Sequence, residues 1–238
     1  MKNPNFFIIG QPKTGTTALY DMLKQHPKIF MPHAKEPNYF NKDREGKRTK
    51  KEYLSLFKGR GEKAVGEATV DYIYSKVAAK EIKKFNPKSK IVVILREPTS
   101  FLRSYHQHRT HRNTETRDIK MEDLLQYRDK IGYSKHLKRF INNFPNKNIL
   151  ILLYKDFKNN NLKTFQKLCT FLDVDNKFKP ILSERNPSKK LRTNIFSRIL
   201  SKLPLLQLNK LTEKIFPLTI KNKISDFFFW LIFRKQKK

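Results

Sequence analysis

An apolar run that passes through a glycine-bounded loop into a helix is the feature that most constrains this chain. Residues 6–17 read FFIIGQPKTGTT, in which Phe6–Ile9 have the character of a short buried strand. Gly10 and Gly15 allow backbone geometry that a Cβ would obstruct, and a helix is expected to begin at Thr16. Because the first amides of a helix lack partners within it, this turn predicts an anion-binding cradle at the end of a strand.

The place of the lysine in this loop separates two kinds of phosphate chemistry. Gly10 and Gly15 have the G-x-x-x-x-G spacing of a nucleoside triphosphate-binding loop, but Thr16 stands where such a loop has its lysine. A kinase or ATPase uses that lysine on the β- and γ-phosphates, together with Mg²⁺. Lys13 is instead expected to approach the group that joins a 5′-phosphate to whatever is transferred.

A second anion-binding element is predicted between residues 91 and 112. Ile91–Leu95 form a continuous apolar run, which is typical of a strand buried on both faces of a parallel sheet. Arg96 follows directly, at the strand end where ligands gather in open α/β sheets. A helix is predicted from Pro98, and Ser104 lies two turns into it, so a guanidinium and a hydroxyl are expected to converge on one phosphate.

These two segments resemble the donor-binding segments of sulfotransferases that use 3′-phosphoadenosine 5′-phosphosulfate (PAPS), in particular the domains acting on heparan sulfate and their bacterial relatives. The resemblance extends over about residues 5–195. It implies that Arg96 and Ser104 bind the 3′-phosphate of PAPS, that Tyr133 contacts the adenosine, and that Lys13 is a catalytic cation acting on the departing phosphate. The implied cradle for the phosphosulfate consists of Lys13, Thr14, Gly15, Thr16 and Thr17.

The segment KEPNYF at 35–40 resembles the part of these enzymes that carries the catalytic base. Sulfuryl transfer to a hydroxyl or an amine requires removal of the acceptor's proton, so a carboxylate or a histidine is needed near the donor. The resemblance implies that Glu36 is this base. The alternative candidates for the base are the histidines His33, His106, His108 and His111.

Two further segments follow the resemblance less closely. In GEATVDYIYS at 66–75, Ala68 stands where heparan sulfate sulfotransferases have an active-site lysine, while Glu67 and Tyr72 either line the acceptor side or pack locally. The basic segment 184–194 is where these enzymes close a lid over PAPS. Its candidate contacts are Asn186, Lys190 and Arg192, with a solvated basic loop as the alternative.

Neither the cysteine nor the histidines predict a metal site. Cys169 is the single cysteine, and it falls at helical spacing among apolar residues, which predicts a place in the core. The loose H-x-H-x-x-H string at 106–111 has arginine neighbours that oppose a divalent cation. We therefore expect no metal and no disulfide framework.

The alternation of apolar runs and helical segments predicts an α/β fold, a P-loop-like central parallel sheet flanked by helices. One sulfotransferase domain is expected over residues 1–195, and residues 196–238 are expected to form a basic, apolar, helical tail. The run at Phe227–Phe233 is too short to cross a bilayer, which requires about 20 residues. The tail is expected to pack on the domain, on a partner or on an anionic membrane surface.

The formal net charge of +31 fits a polyanionic donor and an acidic acceptor. The predicted function is transfer from PAPS to a carbohydrate or glycolipid, without specific nucleic-acid binding. The alternatives are a nucleotide or sugar kinase with a divergent P-loop and a nonenzymatic polyanion-binding protein. No leader is apparent before Phe6, so the cytoplasm is the expected compartment, with peripheral membrane contact through the tail as an option.

Overall fold

The structure, a computed structural model, describes residues 3–44, 48–57, 62–110, 122, 125–181, 190–191 and 233–234. The chain divides into two compact units. The first consists of Met1–Arg109 and Ile119–Ser183, and the second of Thr110–Asp118 and Glu184–Lys238.

A parallel sheet forms the centre of the first unit. Within the described residues its strand order is β2-β3-β1-β4-β5, and every neighbouring pair is parallel. In register, Ile8 of the central strand pairs with Ala68 on one side and Val92 on the other. The strands are β1 (Phe6–Ile8), β2 (Ile29–Phe30), β3 (Ala64–Ala68), β4 (Lys90–Leu95) and β5 (Ile149–Leu153).

Helices follow the strands along the chain, as crossover connections between parallel strands require. Short 3₁₀ turns at Tyr72–Tyr74, Arg128–Ile131 and Asn146–Asn148 join some of them. The described helices are α1 (Thr16–Leu23), α2 (Lys50–Ser55), α3 (Ala78–Phe85), α4 (Pro98–Thr110), α5 (Tyr133–Ile141), α6 (Tyr154–Asn159) and α7 (Asn161–Leu172). The predicted α/β fold with a parallel sheet flanked by helices is confirmed.

The core lies on both faces of the sheet because successive residues of a strand point to opposite sides. Phe6 and Ile8 belong to one buried cluster, and Phe7 and Ile9 belong to the other. Cys169 is fully buried in the first cluster, and burial raises the pKa of its thiol to about 12. The prediction that Cys169 fills the core is therefore correct.

The apolar segment NILILLYKDF at 148–157 has the pattern of a buried strand that ends in a loop, but the strand that it forms is shorter and more exposed than this pattern predicts. It ends at Leu153, and α6 begins at Tyr154 instead of a loop. The side chains of Ile151 and Leu153 are exposed, at 41% and 53% of their surface. Because β5 is the last strand in the sheet order, an apolar run there does not require burial on both faces.

The described part of the second unit is an antiparallel pair of two-residue strands, β6 (Lys190–Leu191) and β7 (Phe233–Arg234). Otherwise the segment 184–194, with its predicted contacts Asn186 and Arg192, and the tail 196–238 lie outside the described residues and stay predictions. Among the described residues, no helix is both long enough and apolar enough to span a bilayer.

Candidate active site

The carboxyl ends of β1, β3 and β4 bring the predicted site segments to one edge of the sheet. The glycine-bounded loop, residues 10–15, follows β1, and Arg96 follows β4 directly. The Glu36 amide donates to the carbonyl of Ala68, the last residue of β3, at 3.0 Å. This edge is where ligands bind in open α/β sheets.

Both glycines of the loop adopt conformations that favour glycine. Gly10 has φ 150°, and a Cβ there would lie 2.9 Å from the carbonyl oxygen of Val70. Gly15 has φ 77° immediately before α1, and a Cβ there would lie 2.8 Å from the ring of Phe157. The loop therefore packs tightly against its neighbours, and its course is set by shape.

The loop is also tied into the sheet through its main chain and through Gln11. The Gln11 amide continues the pairing with β4 by donating to the Ile94 carbonyl at 3.0 Å. The buried Gln11 side chain donates to the Tyr74 hydroxyl at 3.3 Å and to the Lys130 carbonyl at 3.1 Å. The Thr14 hydroxyl closes the turn by donating to the Gln11 carbonyl at 2.6 Å. Gln11 is a residue that the sequence analysis missed, although it lies within the predicted loop.

Lys13 and Arg96 lie together at the mouth of this loop. The Arg96 guanidinium donates to the Lys13 carbonyl at 3.0 Å and to the Ser100 hydroxyl at 2.8 Å, and it lies 4.5 Å from the ring centre of Tyr154. Partial burial, and then the charge of Arg96, lower the pKa of the Lys13 ammonium. Two neighbouring cations with lowered solvation favour an anionic ligand, which would relieve their repulsion.

Tyr133 is bonded to the main chain of Arg96, whereas a serine other than Ser104 is bonded to the Arg96 side chain. The half-buried Tyr133 donates its hydroxyl to the Arg96 carbonyl at 2.6 Å, so the structure brings Tyr133 into the same group. The hydroxyl bonded to the guanidinium is that of Ser100, and Ser104 lies one turn farther along α4. Phosphate binding by Arg96, Ser104 and Tyr133 stays a prediction.

Glu36 lies in a loop where Lys35 connects it to the start of α1. The Lys35 ammonium lies 3.5 Å from Glu36 Oε1 and donates to the Thr17 hydroxyl at 2.7 Å. The side chains of Lys35 and Glu36 expose 22% and 35% of their surface to solvent, so a ligand can reach both. Lys35 was missed by the sequence analysis, although its place beside Glu36 was a signal.

Glu67 lies beneath this loop rather than on its open side. Its side chain is completely buried, and burial raises the pKa of its carboxyl to about 7, an effect that the nearby hydroxyls of Tyr53, Tyr72 and Thr69 partly offset. Among the described residues, the Thr69 contact at 3.2 Å is the one with regular hydrogen-bond geometry. Tyr72 is also fully buried, so local packing describes both residues better than lining of the acceptor side.

The alternative bases are spread over two elements. His33 is exposed three residues before Glu36, and on α4 His106 is half-buried and His108 is exposed. His111 lies outside the described residues. In the described part of the chain, no three His, Cys, Asp or Glu side chains gather in a group suited to a metal ion.

A family model described as "Sulfotransferase domain" matches residues 3–227 of the chain. Among curated proteins, bifunctional heparan sulfate N-deacetylase/N-sulfotransferase 3 of Homo sapiens is 29% identical over 195 residues, which cover 72% of this chain and 22% of that protein. Carbohydrate sulfotransferase 15 of Homo sapiens is 51% identical over a short stretch of 43 residues, 18% of this chain and 8% of that protein. The matched residues thus span about a fifth of the first relative's length and less than a tenth of the second's.

Among solved structures, a sulfotransferase from Alicyclobacillus acidocaldarius has a TM-score of 0.69 at 28% identity, covering 79% of this chain and 88% of that one. A sulfotransferase domain from the curacin biosynthetic pathway has a TM-score of 0.54 at 17% identity, covering 76% of this chain and 77% of that one. The second likeness is one of fold alone.

Proposed function

Because the chain belongs to the sulfotransferase domain family, we propose that it transfers a sulfuryl group from PAPS to a hydroxyl or amine of a carbohydrate acceptor. The carbohydrate part of the proposal is supported by relatives whose names refer to heparan sulfate and to carbohydrate. The high positive charge suits the anionic donor and an acidic acceptor.

The observation that carries the donor assignment is the bond between the Arg96 guanidinium and the Lys13 carbonyl. It joins two segments, 83 residues apart in the chain, that were each predicted from sequence to bind one end of the same nucleotide. In the proposed complex, residues 13–17 hold the phosphosulfate, Arg96 and Ser104 hold the 3′-phosphate, and Tyr133 faces the adenosine.

The transfer itself needs one proton acceptor and one cation. Glu36 takes the proton of the acceptor hydroxyl or amine as the new bond to sulfur forms. The bond between sulfur and the bridging oxygen breaks, and that oxygen leaves as part of the 5′-phosphate of 3′-phosphoadenosine 5′-phosphate (PAP). Lys13 donates to this oxygen as negative charge grows on it, which favours the transition state over the ground state.

The scheme uses side chains of this chain alone and requires no metal. The division into a sulfotransferase domain, 1–195, and a helical tail, 196–238, belongs to the same proposal, as do the cytoplasm as compartment and contact of the tail with a membrane surface. Each of these rests on the sequence.

Calorimetric titration of the purified protein, without metal and at moderate salt, tests the donor assignment. We expect PAP to bind much more tightly than adenosine 5′-phosphate or ATP. Arg96→Ala should weaken PAP about 10- to 100-fold, as loss of a charged hydrogen bond to phosphate predicts, and should leave adenosine 5′-phosphate nearly unchanged.

The matched control for that titration is Arg103→Ala, which removes an exposed arginine from α4 and should leave PAP binding unchanged. Equal, weak and salt-sensitive binding of all three nucleotides would support a polyanion binder instead. Tight binding of ATP alone, dependent on Mg²⁺, would support the kinase alternative.

A further inference from the structure

The loop that carries Glu36 has a backbone conformation that glutamate does not favour. Glu36 and Asn38 have positive φ values of 57° and 55°. Asparagine adopts this conformation more readily than other residues with a Cβ, whereas glutamate adopts it only where the surrounding structure holds it, and such positions gather at functional sites. The contacts that hold this loop therefore decide where the Glu36 carboxylate lies.

The first contacts come from the end of β3 and the residue after it. The Glu36 amide donates to the Ala68 carbonyl, and the Asn38 amide donates to the Thr69 hydroxyl at 3.4 Å. The Thr69 hydroxyl in turn donates its proton to Glu67 Oε1 at 3.2 Å. Since this proton is directed to Glu67, a lone pair of the hydroxyl faces Asn38.

The next contacts come from the Tyr72 hydroxyl. It accepts hydrogen bonds from the amides of Tyr39 and Phe40, at 3.1 and 3.2 Å. A phenolic oxygen has two lone pairs and one proton, so its proton must point elsewhere. Burial, and then the charge of Glu67, raise the pKa of the Tyr72 hydroxyl, and Glu67 Oε2 has no regular hydrogen-bond partner among the described residues.

We propose that Glu67 is a positioning residue for sulfuryl transfer. Its buried carboxyl accepts the protons of Thr69 and Tyr72, which turns the lone pairs of both hydroxyls toward residues 38–40 and fixes the strained loop that carries Glu36. This inference rests on the proposed function, because Glu36 is the base of that reaction. Complete burial of the carboxyl supports it, since water does not compete for these protons.

The sharpest test is Glu67→Gln, which keeps the shape of the side chain and replaces one accepting oxygen with an NH₂ donor. That donor forces one of the two hydroxyls to accept a hydrogen bond from it. The hydroxyl then has one lone pair fewer with which to accept from the amides of residues 38–40. Tyr72→Phe removes the acceptor of two of these hydrogen bonds, and Thr69→Val removes the acceptor of the third. These two variants make the same test if Glu67→Gln does not fold.

The matched control is Tyr53→Phe. The Tyr53 hydroxyl also faces Glu67, and its ring stacks on Tyr39 with the ring centres 4.3 Å apart. Phenylalanine keeps the ring and removes only a hydroxyl that binds none of the amides of residues 36–40. It therefore disturbs the same buried cluster without removing support from the loop.

Two readouts separate positioning from general loss of structure. At pH 8, where the Glu67 carboxyl is ionised, we expect Glu67→Gln and Tyr72→Phe to lower kcat about tenfold or more, with the KM for PAPS and the affinity for PAP changed less than about twofold. At the same pH, amide hydrogen exchange in a peptide spanning residues 36–41 should quicken about tenfold in both variants, while Tyr53→Phe behaves like the wild type in both measurements.

The inference is overturned if Glu67→Gln and Tyr72→Phe match Tyr53→Phe in both kcat and exchange while the wild type transfers sulfuryl groups. A wild-type protein that transfers none would count against the proposed function instead. The exchange comparison would then still decide whether Glu67 holds the loop.

Discussion

Two loops meet at the candidate site, and they are held by different forces. The donor loop, residues 10–15, is fixed by close packing around two glycines and by main-chain bonds to β4. The base loop, residues 36–40, has positive φ at Glu36 and Asn38, as the donor loop has at Lys13, and three of its amides donate to the hydroxyls of Thr69 and Tyr72 beside a buried carboxyl. The donor loop is thus held mainly by packing and main-chain bonds, and the base loop by hydroxyl groups whose protons we assign to Glu67.

The two loops should therefore respond differently to pH. Steric packing does not titrate, so the donor loop should keep its form over the whole range in which the protein is folded. The pKa of the Glu67 carboxyl lies at about 7, so the support of the base loop changes charge near neutral pH. Four variants test this difference between the two loops.

The largest effect is expected from Glu36→Gln in the base loop. Loss of a general base should lower kcat by about 10² to 10⁴ while PAP affinity stays nearly intact, because the donor loop does not depend on Glu36. Steady-state transfer kinetics and PAP calorimetry measure the two quantities. The control is Glu81→Gln, which removes a carboxylate paired with Lys42 at 2.7 Å on α3. An unchanged kcat would move the role of base to a histidine, with His33 the first to replace.

Lys13→Ala in the donor loop should have the next largest effect. Removing the cation that meets the departing phosphate should lower the single-turnover rate by about 10² to 10³. Lys24→Ala, at the exposed end of α1, is the control and should transfer at the wild-type rate. If Lys13→Ala retained full activity, the mechanism proposed for the donor loop would be wrong.

Glu67→Gln should change how stability depends on pH. Burial raises the folded-state pKa of this carboxyl from 4.5 to about 7, so folding is most favourable below pH 4.5, where the carboxyl is neutral. Free energy of unfolding is lost as pH rises to 7 and the carboxyl becomes the ionised double acceptor. At about 1.4 kcal/mol per pH unit, that interval corresponds to about 3 kcal/mol.

Urea unfolding at pH 5 and at pH 8 measures this difference. We expect the wild type to lose more free energy of unfolding between these two conditions than Glu67→Gln does. Tyr53→Phe keeps the carboxyl and removes one hydroxyl that lowers its pKa, so it should show a pH dependence at least as large as that of the wild type. Identical pH dependence in the wild type and Glu67→Gln would mean that the carboxyl does not titrate in this range.

The smallest effect is expected from Gly15→Ala in the donor loop. A left-handed backbone and the approach to the Phe157 ring should reduce the free energy of unfolding by about 1–3 kcal/mol. Because the cause is steric, the reduction should be equal at pH 5 and pH 8. Gly132→Ala is the control, since Gly132 has φ −71° and its nearest neighbour would lie 3.6 Å from a Cβ. A loss of unfolding free energy that depends strongly on pH would contradict steric packing as the support of the donor loop.

The same difference decides what could be predicted from the sequence. The donor loop, β1 and β4 were predicted because each is a contiguous string whose pattern reports its own conformation. The placement of Arg96 at a strand end follows from that pattern as well. Its bond to the Lys13 carbonyl is a consequence of parallel pairing between β1 and β4.

The support of the base loop could not be predicted because it comes from a distant part of the chain. Thr69 and Tyr72 lie 31 to 33 residues from the amides that they bind, and they reach the loop only when β3 pairs beside β1. The residues around Glu67 in the sequence do not distinguish a buried carboxyl from one that lines a site. Likewise, the pairing of Arg96 with Ser100 depends on how the first turn of α4 is oriented, which spacing alone leaves open.

The bond from the Glu36 amide to the last carbonyl of β3 has a consequence for how this chain can evolve. Glu36 takes its position from the sheet, so its distance from the donor loop does not depend on the length of the chain beyond Phe40. Insertions or deletions there should therefore leave the proposed base in register with the donor while they change the surface beside it.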